Sequence, residues 1–390
     1  MQNIIHIVSN KEWGGGEQYV LDLASRQKAD GISVTVVCKP VEAIRRKYEE
    51  AGLRVLALPL GGALDVHSAL ALARELSQLS TLTSQLSTLN SIHAHNFKDA
   101  FTACYARRLS GCKDVRVVMC RHLTRKGKNT LLYRWLYRQL DCLCFDSELS
   151  RSEFLSTQPT IDERKLRIVH TSVIVPEHIE AVDVRGKYAI PVNAVIAMFH
   201  GRLDPEKGLD TLLEAMSLLN STLGPTGRLR SPSEQEFSIL NSQFSIILVL
   251  LGRGSDEYTA HLKQKASELG IADQVIFAGF QHSVLPWVAA ADVGILASTV
   301  SEGCPLSPQE YMSQGHPVIV TDNGGQREYV IDGQNGLLVP PGDAQALASA
   351  LNRLTTDAAL RQRLGQQARE DFYDHLSYEH FYQQIKGIYL

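Results

Sequence analysis

The 390-residue sequence lacks the patterns that mark membrane-spanning, exported and zinc-binding proteins. It contains no apolar run of about 18 residues, the length that a membrane-spanning helix requires. No charged and then apolar leader follows Met1. The seven cysteines include no C-x-x-C pair and no zinc-type spacing. We therefore expect a cytoplasmic protein whose thiols are reduced.

Charge is distributed unevenly along a chain whose composition, 44% apolar and 21% charged, is that of a globular protein. Residues 1–178 carry a net charge of +6 and residues 179–390 a net charge of −9, and the length suits two domains. Segment 105–138 holds ten Lys and Arg residues but one acid, Asp114. This segment is either a surface for an anionic partner or an acidic membrane, or the solvated face of a helix.

Short apolar runs alternate with longer segments of helical period, once in each half of the chain. The first half contains NIIHIVS, GEQYVLDLASRQKAD, VTVVCKP and EAIRRKYEEAG, and the second contains AVIAMFH, LDTLLEAMSLLN, IILVLLG and YTAHLKQKASELG. Apolar strands that alternate with helices predict parallel sheets covered on both faces. Each half is therefore predicted to be a doubly wound α/β domain, with the boundary near 178–193. The Ser- and Leu-rich stretches 77–91 and 221–245 are predicted to be surface insertions.

The loops that follow predicted strands carry the candidate site residues, because ligands bind beyond the carboxyl ends of parallel strands. In SNKEWGGGEQY, Gly14, Gly15 and Gly16 would allow the backbone to approach a phosphate or sugar. The loop is not G-x-G-x-x-G, so dinucleotide binding is not supported. A tight turn explains the three glycines equally well.

The loop HGRLDPEKG in the second half places Arg202 and Lys207 on either side of an Asp-Pro turn. Both cations can reach one point beyond the strand, as a clamp for a diphosphate would require. The alternative is an ordinary turn with exposed basic flanks.

The stretch SEGCPLSPQE carries Glu302 and Glu310 with two prolines between them, which excludes one continuous helix. Ser307, Pro308 and Glu310 have the spacing of a capping box, which predicts a helix from Ser307 to about Gln314. Glu302 would then lie in the preceding loop and Glu310 in the first turn.

These motifs together resemble a retaining nucleotide-sugar glycosyltransferase of the GT-B fold, glycosyltransferase family 4 (glycosyl transferases group 1). GRLDPEKG, FAGF and the stretch from WVAAAD to PPGD, with its E-x7-E spacing, follow the family order over residues 195–343. SIHAHNFKDA and CRHLTRKG resemble the acceptor-side loops of that family. The resemblance implies an α/β fold with two doubly wound Rossmann-like domains facing across a cleft, and a final helix that returns to the first domain. The implied ranges are 1–180, 181–370 and 371–390.

The resemblance also implies roles for individual residues. Glu302 and His122 would be the catalytic candidates, Glu302 in contact with the donor sugar and His122 near the reacting centre. The donor-binding residues would be Arg202 and Lys207 at the diphosphate, Glu310 at the ribose, the backbone of Gly15 and Gly16, and the backbone of Cys304, Pro305 and Leu306. Pro305 departs from the family pattern, in which Phe-Gly is common at 304–305, since proline has no N–H to donate.

The implied partners are a nucleotide-sugar co-substrate, with UDP favoured, and a glycan or lipid-linked acceptor. Segment 105–138 would contact an anionic membrane at its inner face, and no nucleic acid partner is expected. No other cofactor and no metal are predicted, in keeping with the absence of a D-x-D motif. His93 and His95, two residues apart in one strand, are expected to face opposite ways and not to form a metal-binding pair.

Two alternatives use the same motifs. A nucleotide-sugar epimerase can have the same fold, although the E-x7-E spacing together with GRLDPEKG favours transfer. A non-catalytic sugar-nucleotide binder is the second alternative. It is disfavoured by the presence of Arg202, Lys207, Glu302 and Glu310 and favoured by Pro305.

Overall fold

The computed structural model describes residues 2–82, 90–222 and 246–389, and the chain divides into two compact units. The first unit comprises Met1–Thr171 and Glu379–Leu390, and the second comprises Ser172–Tyr378. The chain therefore enters the second unit once and returns to the first. The sequence-based ranges place the corresponding limits at 180 and 370.

The first unit contains a parallel sheet of seven strands. The strands are β1 (Asn3–Val8), β2 (Ser33–Cys38), β3 (Arg54–Ala57), β4 (Asn90–Ala94), β5 (Arg116–Arg121), β6 (Cys142–Phe145) and β7 (Leu166–Ile168). Their order across the sheet is β3-β2-β1-β4-β5-β6-β7. The helices are α1 (Gly15–Ala29), α2 (Glu42–Glu50), α3 (Val66–Leu82), α4 (Phe97–Ser110), α5 (Leu131–Gln139) and α6 (Glu148–Leu155).

The second unit repeats this plan with a parallel sheet of six strands. The strands are β8 (Val195–His200), β9 (Ile246–Leu251), β10 (Val275–Gly279), β11 (Val293–Leu296), β12 (Val318–Thr321) and β13 (Gly336–Val339), in the order β10-β9-β8-β11-β12-β13. The helices are α7 (Val184–Tyr188), α8 (Leu209–Thr222), α9 (Asp256–Glu268), α10 (Leu285–Val288), α11 (Leu306–Ser313), α12 (Ala344–Thr356) and α13 (Ala358–Asp371). After α13, the final described helix, α14 (Tyr378–Tyr389), carries the chain back into the first unit.

Burial explains why the apolar runs form the central strands. Every residue of β1, β8 and β9 is buried, as expected for strands that helices cover on both faces. The helical spacing in α8 also serves the core. Its apolar residues Leu209, Leu212, Leu213, Met216 and Leu219 are fully buried. The predicted α/β architecture is therefore confirmed.

In each sheet the strand order reverses once, and this reversal determines where a site can form. The order changes direction between β1 and β4 in the first unit and between β8 and β11 in the second. Helices leave to opposite faces on the two sides of such a point, so a crevice opens at the carboxyl ends of the strands. Ligands are therefore expected to bind at the loops after these four strands.

The Ser-rich stretch 77–91 is only in part what the sequence predicted. Residues 77–82 continue α3, and residues 90–91 begin β4, so these parts are regular elements and not a surface insertion. The helical period of the preceding residues extends into the stretch, and serine does not end it. Residues 83–89, and almost all of the predicted insertion 221–245, lie outside the described residues.

Among the described helices, none is long and apolar enough to cross a membrane.

Asp99 near the start of α4 is a buried carboxyl group whose ionisation opposes folding. It is 1% exposed, and Asn96, the N-cap of α4, donates from Nδ2 to Asp99 Oδ2 at 2.5 Å. Burial raises the pKa of Asp99 from 3.8 to about 7, although hydrogen bonds from Ser9 act in the opposite direction. The folded state therefore holds a proton that the unfolded state releases.

We predict that Asp99→Asn removes a pH-dependent loss of stability. The contribution of protonated Asp99 to the free energy of unfolding is fully present below about pH 4. Between about pH 4 and pH 7 it decreases by about 1.4 kcal/mol per pH unit. The unfolding free energy of Asp99→Asn minus that of the wild type should therefore rise over this range and then level off. Urea unfolding of both proteins at several pH values measures this difference. For Asp114→Asn, at an exposed acid, the difference in unfolding free energy from the wild type should not change with pH. A difference for Asp99→Asn that does not change with pH would contradict the prediction.

Candidate active site

The second unit brings predicted donor-side residues together beside its strand-order reversal. Lys207 lies in the loop after β8, at the end of the 3-10 turn Pro205–Lys207. Glu302 lies in the loop after β11. Lys207 Nζ is 2.9 Å from Glu302 Oε2, and each side chain is 20% exposed. Ser298 Oγ donates to Glu302 Oε1, so both carboxylate oxygens are engaged.

Two glycines in this unit hold positions that no other residue could occupy. Gly208 has φ +66, and a Cβ added there would lie 1.9 Å from the carbonyl oxygen of Ala297. Gly252 has φ +145, and a Cβ there would lie 1.7 Å from the carbonyl oxygen of Gly201. The loops after β8, β9 and β11 therefore contact one another through bare backbone. That contact brings Lys207 within reach of Glu302.

Glu310 has a partner that the sequence analysis did not identify. His200, the last residue of β8, contacts Glu310 Oε2 through Nε2, and its Nδ1 lies 2.9 Å from Tyr311 Oη. Tyr311 Oη donates to the carbonyl oxygen of Met198 at 2.9 Å, so it accepts a hydrogen bond from His200 Nδ1–H. The carboxyl group is thereby held in one orientation at the edge of the sheet.

The helix that carries Glu310 begins differently from the prediction. It starts at Leu306 with Pro305 as the N-cap, and no side chain caps it. Ser307 is therefore inside the helix and the predicted capping box is wrong. Glu310 lies in the second turn, where its side chain reaches His200 instead of the helix end. Pro308 fits because proline is tolerated in the first turn.

The residues 304–306 precede and open this helix. Cys304 accepts a hydrogen bond from Gln309 Nε2 at 3.3 Å, and the carbonyl oxygen of Pro305 accepts one from Tyr329 Oη at 2.7 Å. Pro305 has no N–H, so the backbone donors at this end of the helix begin with Leu306.

An open cavity of about 680 Å³ lies at the carboxyl ends of β8, β9 and β10. His200 and Arg202 belong to its wall, together with Tyr258, Phe280 and Val284. The Arg202 side chain is 67% exposed, and its Nε lies 3.6 Å from Asp204 Oδ2. Arg202 thus borders the cavity while Lys207 is paired with Glu302. The cavity combines an aromatic and apolar wall with a cation, which suits a ligand with a planar ring and a negative charge.

The glycine loop of the first unit opens α1. Gly14 is its N-cap, and the Gly14 N–H donates to Glu17 Oε2 at 3.0 Å. A Cβ added at Gly15 would meet nothing within 4 Å, and one added at Gly16 would meet only Asn10 Nδ2 at 3.5 Å. Packing within the chain therefore does not require glycine at these two positions, which leaves their backbone open to close approach.

His122 follows β5 and belongs to a group of partly buried rings. Its ring lies 4.5 Å from that of Tyr19 and stacks on His95 at 6.1 Å. Burial lowers the pKa of His122 to about 4. His122 Nε2 has no hydrogen-bond partner among the described residues.

The expectation that His93 and His95 face opposite ways is wrong. Residues two apart on a strand share a face, and the two ring centroids are 4.3 Å apart. His6 on β1 joins them, with its Nδ1 3.0 Å from His95 Nε2. Burial lowers the pKa of His6 to about 4 and those of His93 and His95 well below the usual value. The three imidazoles are therefore neutral at pH 7.

The basic segment 105–138 is not a uniformly solvated face. Arg107 pairs with Asp141 at 2.6 Å, and Arg121 is buried, with its guanidinium over the rings of Phe97 and Phe154. The exposed cations include Arg125, Lys126 and Lys128 in the loop between β5 and α5. Leu123 and Leu131, near the two ends of that loop, are 57% and 83% exposed. The loop thus presents cations flanked by apolar side chains.

Two family models match the chain. "Glycosyl transferases group 1" matches residues 183–371, and "Glycosyl transferase 4-like domain" matches residues 14–171. The lipopolysaccharide core biosynthesis glycosyltransferase LpsE of Rhizobium meliloti is 31% identical over 56% of this chain and 55% of its own length, so the match spans about half of LpsE. EpsD of Bacillus subtilis, whose name assigns it to the glycosyltransferases, is 30% identical over 72% of this chain and 71% of its own.

Solved structures resemble the chain over its whole length. HepE of Anabaena has a TM-score of 0.77 at 19% identity and covers 99% of both chains. A glycosyltransferase of Rickettsia africae has a TM-score of 0.78 at 16% identity, covering 100% of this chain and 97% of its own. The match to EpsD shows that the chain belongs to the glycosyltransferases, and the solved structures show that its fold is the two-domain α/β GT-B fold.

The ion pair between Lys207 and Glu302 should couple more strongly than an exposed pair. Both side chains are largely buried, so either one alone would be left desolvated without its counterion. In a double-mutant cycle with Lys207→Met and Glu302→Gln, we expect a coupling of about 1–2 kcal/mol in the unfolding free energy. The control cycle uses Arg46 and Glu50, an exposed pair at 2.7 Å, with an expected coupling of about 0.3–0.5 kcal/mol. Equal couplings would show that the Lys207 pair is effectively solvated.

Proposed function

We propose that this protein transfers a hexose from a nucleoside-diphosphate sugar to a glycan or lipid-linked acceptor, with retention of anomeric configuration and without a metal ion, as in glycosyltransferase family 4. The observation that carries the proposal is the convergence of Lys207, Glu302, His200 and Glu310 at the strand-order reversal of the second unit. His200 also belongs to the wall of the neighbouring cavity. The membership of the chain in the glycosyltransferases supports it.

The donor residues divide between the two ends of the nucleotide. The cavity wall formed by Phe280 and Val284 takes the base, and the Glu310 carboxylate, oriented by His200, accepts hydrogen bonds from the ribose hydroxyls. Arg202 and Lys207 bind the diphosphate. When the diphosphate arrives, it replaces Glu302 as the partner of Lys207, which leaves Glu302 free to contact the donor sugar.

The reaction then needs little proton chemistry from the protein. The acceptor oxygen attacks the anomeric carbon from the side of the leaving group, the bond to the phosphate oxygen breaks, and the leaving phosphate takes the proton of the acceptor. Lys207 and Arg202 stabilise the negative charge that grows on the leaving diphosphate. We assign Gly15 and Gly16 to the donor backbone contacts and His122 to the reacting centre.

Pro305 removes one backbone donor from the start of α11. The amide contacts of the donor then come from Cys304 and Leu306, which flank the proline. Since proline also fixes φ, this loop is stiffer than one with glycine at the same position. We assign Pro305 to the selection of the donor sugar.

The named activities of related proteins indicate the pathway class. LpsE acts in lipopolysaccharide core biosynthesis, and HepE has been solved with UDP and with UDP-glucose. We therefore propose a UDP-sugar donor and an acceptor in cell-surface polysaccharide or lipopolysaccharide synthesis. The exposed loop that holds Arg125, Lys126 and Lys128 would contact an anionic membrane at its inner face.

Nucleotide binding tests the donor site. We expect UDP to raise the melting temperature of the wild type more than GDP or ADP does. At a UDP concentration of 100 Kd, binding adds about 2.7 kcal/mol to the free energy of unfolding. Lys207→Ala and Glu310→Gln should weaken UDP binding at least tenfold, because each removes a charged partner of the nucleotide.

Lys263→Ala, at an exposed lysine on α9, is the matched control and should bind UDP as the wild type does. If no nucleotide stabilises the wild type, or if all three variants bind UDP equally, the donor assignment is wrong. Incubation with a UDP-sugar then separates the activities, since an epimerase changes the sugar without attaching it to an acceptor.

Membrane contact is tested with vesicles. Binding to vesicles that contain phosphatidylglycerol should fall by about 3 kcal/mol, roughly a hundredfold, when Arg125, Lys126 and Lys128 are all changed to Ala, because each cation contributes about 1 kcal/mol. The matched control changes the exposed Lys263, Arg353 and Arg369 to Ala and should bind normally. Equal binding of both triple variants in a sedimentation assay would remove the proposed contact.

A further inference from the structure

The buried histidines of the first unit form a set that the proposed transfer reaction does not use. His6, His93 and His95 each offer one ring nitrogen, and these three atoms lie within 4.8 Å of one another. A tetrahedral zinc ion with bonds of about 2.0–2.1 Å places its ligand nitrogens roughly 3.3 Å apart. His6 Nδ1 lies 3.0 Å from His95 Nε2. Small side-chain shifts would therefore suffice for coordination.

Neighbouring groups hold two of these rings by their outer nitrogens. Gln27 Nε2 donates to Tyr389 Oη at 3.1 Å, so Gln27 Oε1 faces His6 Nε2 at 2.7 Å and accepts a hydrogen bond from its N–H. His6 Nδ1 then carries a lone pair. Tyr389 Oη holds His93 Nδ1 at 2.7 Å. Metal-binding histidines are typically held in this way, with the outer nitrogen hydrogen-bonded and the inner one left for the ion.

The remaining nitrogens lack protein partners although they are buried. His93 Nε2 and His95 Nδ1 have no hydrogen-bond partner within the described residues, and His6 and His93 are fully buried. Leaving such groups unpaired is costly. Three neutral imidazoles that each direct one ring nitrogen toward a common point are a donor set typical of zinc and its neighbours in the first transition series.

We propose that His6, His93 and His95 bind one late first-row divalent metal ion, Zn²⁺ by preference, between β1 and β4. His6 Nδ1, His93 Nε2 and His95 Nε2 supply three lone pairs, and a water molecule takes the fourth position. Each ring then carries its single proton on the nitrogen away from the ion, so the proton now on His95 Nε2 moves to its Nδ1, and His93 takes the tautomer protonated at Nδ1, facing Tyr389 Oη. Mg²⁺ and Ca²⁺, which need oxygen ligands, are excluded. His95, which is 8% exposed, marks the side from which the ion enters.

The test uses the full chain without an affinity tag. Zn²⁺ should raise the melting temperature, Co²⁺ should produce visible ligand-field absorption, and Mg²⁺ should do neither. His93→Gln should abolish the Co²⁺ spectrum and the Zn²⁺ shift. Tyr389→Phe keeps the ring but removes the hydroxyl that orients His93, so it should weaken Zn²⁺ binding at least tenfold.

His261→Gln is the control for surface binding, because His261 is exposed and lies 2.7 Å from Asp210. It should leave both metal signals unchanged. The proposal is overturned if Zn²⁺ and Co²⁺ give no signal with the wild type, if His93→Gln retains the signal, or if His261→Gln loses it. Should His93→Gln fail to fold, Tyr389→Phe decides alone, and wild-type Zn²⁺ affinity in that variant overturns the proposal. UDP binding, which belongs to the second unit, serves as a separate readout.

Discussion

The reversal of strand order within each parallel sheet is the constraint on which all the candidate groups depend. Helices on the two sides of the reversal leave to opposite faces, so the loops beyond the strands converge without a helix between them. Lys207 and Glu302 meet across the β8–β11 reversal, and His6 meets His95 across the β1–β4 reversal. Residues about 90 positions apart in the sequence thus become neighbours through backbone geometry before side-chain chemistry is considered.

The two reversals carry opposite kinds of chemistry. In the second unit, the charged groups are largely buried but already paired, so a charged ligand can take the place of an existing partner without leaving a charge unpaired. In the first unit, imidazoles are enclosed and neutral because burial disfavours their protonated form. One half of the molecule is therefore suited to a polyanion and the other to electron-pair acceptors or hydrogen-bonding groups. The same backbone plan supports both kinds of site because the strand ends determine where the loop residues lie but not which residue types they are.

Sequence patterns predicted the regular elements well because periodicity and burial are local properties. The runs that became β1, β8 and α8 were recognisable from apolar spacing alone. Contacts between distant side chains were not recognisable. The pairing of His200 with Glu310, and of Ser298 with Glu302, depends on register across the sheet, which no local pattern encodes. The helix at Glu310 was misplaced by one residue because its capping-box spacing matched, although Pro305 already supplied the N-cap. The prediction that His93 and His95 face opposite ways was wrong because residues two apart on a strand lie on the same face.

The return of α14 to the first unit has a consequence for the order of folding. The second unit is one continuous stretch of chain, whereas the first needs both Met1–Thr171 and Glu379–Leu390. Tyr389 contacts His93 and Gln27 in the interior of that first unit. During synthesis the second unit can therefore close as soon as it emerges, while the first waits for its last helix with an incomplete core. The N-terminal unit, which usually folds first during synthesis, thus completes its core only after the chain of the second unit has been made.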